Sequence, residues 1–112
     1  MKKSIVIVTA FIFIIMACSK SNDSSSTITC SGTQSFTADV NPIIQSFCAI
    51  AGCHASGSTN GPGALTTYSQ IFNNRSGIRS AVANGSMPQN SSLAASQKSA
   101  IICWIDSGAT NN

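Results

Sequence analysis

The chain has 112 residues, 43% of them hydrophobic and only 8% charged. Those totals merge two regions that divide after residue 17: of the 95 residues that follow, only 35, about 37%, are apolar, below the roughly 45–50% of an average globular protein. Beyond the division, four basic residues (Lys20, Arg75, Arg79, Lys98) stand against three acidic ones (Asp23, Asp39, Asp106), and this near-neutral balance leaves no electrostatic footprint for nucleic acid. The length supports one small domain, with a core thin enough to need a staple or a cofactor.

Lys2 and Lys3 precede an apolar run from Ile5 to Met16, interrupted only by Thr9, the charged start and hydrophobic stretch of a secretory signal, too short for a standard membrane span. Ile15-Met16-Ala17-Cys18 resembles the bacterial lipobox. The resemblance implies removal of residues 1–17 as a lipoprotein signal peptide and attachment of a diacylglycerol thioether to Cys18. An ordinary signal peptide is the alternative. Both readings export the domain into an oxidising part of the cell envelope, and a lipid on Cys18 would hold it at a membrane, facing the periplasm or the outer surface. Residues 18–33 are polar and serine-rich without apolar periodicity and read as a flexible tether. The folded domain is expected over residues 34–110, with Asn111 and Asn112 as a frayed end.

Within the domain, helical signals dominate and strand alternation is absent. Asp39-Val40-Asn41-Pro42 marks a helix start, with Pro42 in the first turn where its missing N–H costs nothing. Val40, Ile43, Ile44, Phe47 and Ala51 then fall at spacings of three and four and form one apolar face. The run from Gly57 to Gly63 (GSTNGPG) is a loop by its glycine and proline content. Thr66 or Thr67 is placed to cap a short helix through Phe72, and a further helical segment over Ile78 to Val82 ends at Asn84-Gly85. The last helix runs from about Ala94 or Ser96 to Ser107, buries Ile101, Trp104 and Ile105, and stops at Gly108. An all-α domain of three to four helices is expected.

The chemistry lies in the cysteines and one histidine. With lipid on Cys18, four thiols remain: Cys30, Cys48, Cys53 and Cys103. In an exported domain they would ordinarily make two disulfides. The chain's single histidine, His54, follows directly on Cys53, giving Cys48-Ala-Ile-Ala-Gly-Cys53-His54. This resembles the haem attachment motif of c-type cytochromes, in which two thiols add to the vinyl groups of haem and the adjacent histidine binds the iron. Four residues separate the cysteines instead of the usual two, as in wider variants of the family, and Gly52 would let the longer loop fold tightly. Met87, the only methionine outside the leader, sits in the loop Asn84-Gly85-Ser86-Met87-Pro88, where the following proline restricts the backbone.

Val40 to Ile44, Gly85 to Pro88 and Trp104 to Ala109 are further stretches in which the chain resembles small monohaem cytochrome c domains of exported bacterial proteins, from Phe36 to Ala109. The resemblance implies a fold around one covalently bound haem, with the N- and C-terminal helices packed together, so that Ile43, Ile44 and Phe47 meet Trp104 and Ile105. It also implies iron held between His54 and Met87, and electron transfer to and from redox partner proteins by a monomer, with no catalysis at a metal whose axial positions are filled. Cys30 and Cys103 are then left to pair with each other, an inference from parity.

Other functions compete. One is a disulfide-stapled lipoprotein module that binds a partner without a cofactor, with Cys48 bonded to Cys53. Another is a zinc or copper site on Cys48, Cys53 and His54, although structural zinc needs a fourth ligand. A haem whose Met87 swings away would make a sensor or a peroxidase-like site, and Met87 can equally be read as a gap-filling core residue. Arg75 and Arg79 read as solubilising charges, or as groups near a haem carboxylate, and Asp106 as a solvated surface residue.

Overall fold

The computed structural model describes residues 27–112. Cys18, the leader over residues 1–17 and the first part of the expected tether lie outside the described residues. Those described form an all-α domain without strands: a π-helical turn (Phe36–Val40) runs into α1 (Asn41–Phe47), followed by α2 (Tyr68–Asn73), α3 (Arg75–Asn84) and α4 (Ala95–Asp106). No described helix is long and apolar enough to cross a membrane.

Helical winding begins earlier than the Asp39 start expected from sequence. Ser35 is the cap: its Oγ accepts from Ala38 N at 3.2 Å, while its own N–H donates to the Asp39 carboxylate at 2.7 Å, a reciprocal exchange that satisfies donors with no helical partner. The far end of the chain completes this cap. Phe36 N–H donates to Asn112 Oδ1 at 2.8 Å, and Thr37 N–H and the Ser35 hydroxyl donate to the Asn112 carbonyl. Asn112 is therefore docked and not frayed, because it meets backbone donors that nothing local can satisfy. Further on, α1 stops at Phe47, which leaves Ala51 exposed beyond the helix.

The other helix ends follow their punctuation residues. Thr67 Oγ1 accepts from Gln70 N and Gln70 Oε1 accepts from Thr67 N, a capping box at the start of α2. Gly85 closes α3 at φ +75°, in the left-handed region where a side chain would be strained. At the start of α4, Ala94 has no side-chain oxygen to offer, and Gln97 reaches back to accept from its N–H at 2.9 Å.

Trp104 is completely buried. Its ring lies 5.3 Å from Phe36 and 6.4 Å from Tyr68, whose own rings meet edge-on at 5.1 Å. Pairs of this kind contribute about 0.5–1.5 kcal/mol beyond their burial. The Trp104 indole N–H donates to Thr110 O at 2.8 Å, and the Tyr68 hydroxyl to Ala109 O at 2.9 Å. The last helix thus packs chiefly on the π-helical turn and on α3. Phe36 and Tyr68 are the aromatic partners of Trp104, while Ile43 and Phe47 pack at the edge of the core. The burial of α4 also departs from one stripe: Ile101, Ile102, Cys103 and Trp104 are all buried, and Ile105 only partly. Elements meet this helix on several sides.

One of them is the segment before the domain. Cys30 is bonded to Cys103 with Cα atoms 5.4 Å apart, and Ile28 packs against the core. The tether expected over residues 18–33 is accordingly pinned from Ile28 onward. A second tie joins α3 to α4: Arg79 Nε and Nη2 donate to the two carboxylate oxygens of Asp106 at 2.6 and 2.8 Å. Asp106 is thus an ion-paired residue and not simply a solvated one. Arg75 turns elsewhere, donating to Phe72 O at 2.7 Å with its guanidinium 4.0 Å from the Phe72 ring centre.

Two outcomes follow. Replacing Cys30 and Cys103 together by serine should lower unfolding stability by about 2–4 kcal/mol, read from urea denaturation. Hydrogen bonds from Arg79 hold the Asp106 carboxyl below its ordinary value. The stability this supplies is present above the unfolded-state pKa and lost as pH falls through the folded one; being exposed, the pair is screened by salt. Carboxyl NMR should find Asp106 titrating lower than in an Arg79→Ala variant.

Candidate functional site

Cys48, Cys53, His54 and Met87 border one cleft. Cys48 caps the C-terminal end of α1, its N–H donating to Ile44 O at 2.9 Å. From there the chain makes a compact loop. Cys53 N–H donates to Ile50 O, His54 N–H donates to Cys48 O, and Gly52 takes φ +80°. Nothing lies within 4 Å of where a Cβ on Gly52 would sit, so the glycine answers a backbone requirement and not a lack of room.

His54 is buried to 7% exposure. Its Nδ1 lies 2.9 Å from Gly63 O, and since a carbonyl only accepts, Nδ1 carries the proton. The lone pair is then on Nε2, which has no hydrogen-bond partner among the described residues and is not enclosed by protein. A buried imidazole with a committed Nδ1–H and an open Nε2 is oriented as metal-binding histidines are.

Met87 reaches the same place from α3. After the Gly85 cap, Ser86 N–H donates to Asn84 Oδ1 at 2.8 Å and Met87 N–H donates to Ala81 O at 3.2 Å, which folds the loop back along the helix. Cys48, His54 and Met87 all border two adjoining cavities of about 440 and 300 Å³, each within the size range of small-molecule and cofactor sites. The larger adds Cys53, Phe47, Ile50 and the polar stretch Gln89 to Ser91. The smaller is more apolar, walled by Pro62, Leu65, Ile78 and Val82.

Among the described residues, no Asp, Glu, Lys or Arg borders either cavity. Arg75 and Arg79 are engaged elsewhere, as are Cys30 and Cys103 in their disulfide. Cys48 and Cys53 carry free thiols. Burial, reinforced by the nearby Cys53, pushes the Cys48 thiol above its ordinary value. Among the described residues no three His, Cys, Asp or Glu side chains converge to hold an ion.

Sequence reading missed the wall contributed by α3, where Ile78 and Val82 look like ordinary core residues, and the role of the Gly57 to Gly63 loop, whose glycines and proline announce only a turn. No protein-family model matches the chain, and comparisons with curated proteins and with solved structures found no match.

The raised Cys48 pKa has a measurable sign. The folded state keeps a proton that the unfolded chain releases, so stability should fall as pH climbs past the ordinary thiol value. Iodoacetamide at pH 8, followed by mass spectrometry, should label Cys48 at least tenfold more slowly in the folded protein than in urea.

Proposed function

We propose that the cleft holds one covalently bound haem c and that the protein is an electron carrier. The observation that carries this reading is the convergence of two free thiols, an imidazole with its Nε2 open and a thioether around one uncharged, largely apolar cleft. The donor set fits the group: Cys48 and Cys53 would hold it covalently through sulfur, and His54 Nε2 and the Met87 sulfur would ligate its iron. When bound, haem supplies a one-electron ferric and ferrous couple, and His/Met ligation raises its potential relative to bis-histidine ligation.

The chain's own residues then have distinct parts. His54 binds through Nε2 while the Gly63 carbonyl fixes its tautomer and ring plane. Met87 offers a neutral, polarisable sulfur from a loop that two backbone hydrogen bonds hold against α3. Leu65, Ile78 and Val82 exclude water from one side and lower the local dielectric, which disfavours the more highly charged ferric state. The packing of the π-helical turn on α4 through Trp104 supports this reading, since the resemblance implies first and last helical segments in contact. An anchor at Cys18 would keep this carrier at a membrane of the cell envelope, where it would meet redox partner proteins as a monomer. The cofactor-free binding module requires Cys48 bonded to Cys53, and the free thiols of both residues weigh against it.

The test is a reduced-minus-oxidised visible spectrum of protein matured in a host equipped for haem attachment, with a denaturing gel stained for covalent haem. A sharp α band and staining of the chain are expected, both lost in a Cys48→Ser, Cys53→Ser double variant. Met87→Ala should keep the haem but lose the sulfur-to-iron charge-transfer band and lower the potential. A colourless wild-type product from a competent host would overturn the reading.

A further inference from the structure

The loop from Gly57 to Gly63 is exposed for much of its length, yet one of its side chains is fully engaged. Asn60 Nδ2 donates to Gly52 O at 3.0 Å and to Cys53 O at 3.2 Å. Its backbone N–H donates to Ser58 Oγ at 3.2 Å, and the Ser58 hydroxyl donates to the same Cys53 carbonyl. The Asn60 carbonyl accepts from Gly63 N–H at 2.9 Å. Gly63 O is the acceptor for His54 Nδ1–H at 2.9 Å. A continuous set of hydrogen bonds therefore runs from the backbone of the second cysteine, through Asn60, to the carbonyl on the far side of the histidine ring.

The chemistry at position 60 is restrictive. Two carbonyl oxygens, from Gly52 and Cys53, converge on one side chain, which must donate twice; an amide nitrogen does so, whereas a carboxylate would only accept. The loop has little freedom to compensate. Gly61 and Gly63 both have positive φ, and a Cβ on Gly61 would lie 3.7 Å from His54 Cε1, so the backbone passes directly over the imidazole.

We infer that Asn60 is a positioning residue: by anchoring the loop to the Gly52 and Cys53 carbonyls it holds Gly63 O on His54 Nδ1, and so sets the donor strength of Nε2 toward iron. The inference rests on the haem reading above and deepens it. An imidazole whose Nδ1–H donates to a firmly held carbonyl is a more basic ligand, and a more basic ligand favours ferric over ferrous iron. Releasing the carbonyl weakens that push and makes reduction easier.

The experiment uses the full chain loaded with haem. Asn60→Ala should retain covalent haem and the Met87 charge-transfer band, while its equilibrium constant for reduction rises about three- to tenfold, tenfold being 59 mV for one electron. The His54 Nδ1 proton, followed by NMR, should exchange with water at least tenfold faster. Thr59→Ala, in the same loop but outside these hydrogen bonds, is the control and should leave both readings at wild-type values. Where Asn60→Ala matures too poorly to measure, Asn60→Leu, which keeps the size but removes the donor, is read in the same way. A haem-loaded Asn60 variant with wild-type potential and exchange overturns the inference while leaving the cytochrome reading intact. So does a Thr59→Ala variant that moves both as far. A colourless wild-type protein overturns both.

Discussion

The buried indole of Trp104 is the contact on which the other elements depend. The π-helical turn reaches it through Phe36, α2 through Tyr68, and the C-terminal segment through Thr110, which accepts the indole N–H. Few other large side chains are available, since residues 18–112 are only about 37% apolar. One wide aromatic surface joining three segments economises on apolar residues, because each of its faces and edges is used. The arrangement also leaves the end of α1 at Phe47 and one side of α3 at Ile78 and Val82 to line a cleft.

Where residues act on their own neighbourhood, the sequence was readable. Thr67 caps α2 with Gln70 three residues on, Gly85 ends α3, and α4 stops before Gly108, because capping and left-handed closure are decided within a few positions. The thiols, His54 and Met87 were equally legible as chemistry, the histidine and methionine being the only ones of their type outside the leader. What escaped was contact between distant residues. Asn112 completes a cap 76 positions away, and Arg79 pairs with Asp106 across 27. Neither partner has a local pattern that announces the other. The fully buried middle of α4 was hidden for a related reason: periodicity shows one apolar face, whereas Ile102 and Cys103 are covered by elements that the helix's own sequence does not describe.

Cleft and core are built on different principles. Around Trp104 each polar group on an aromatic ring has a partner, and packing is close. The cleft gathers polarisable or neutral donors, two thiols, a thioether and an imidazole, among largely apolar walls, with no Asp, Glu, Lys or Arg of the described residues along its border. Its electrostatic character therefore comes from fixed backbone dipoles, above all the Gly63 carbonyl behind His54, and these do not change with pH as carboxylates would. A bound redox group there would respond to loop geometry more than to surface titration.

The bond between Cys30 and Cys103 also has a mechanical meaning. A pull on the chain ahead of Cys30 does not travel through the π-helical turn, α1 or the cysteine-histidine loop, since a covalent bridge passes it straight into the final turns of α4. The two cysteines stand 73 positions apart in sequence, and the residues between them form a closed loop outside that load path. Tension ahead of Cys30 would therefore reach the domain from the side of its last helix.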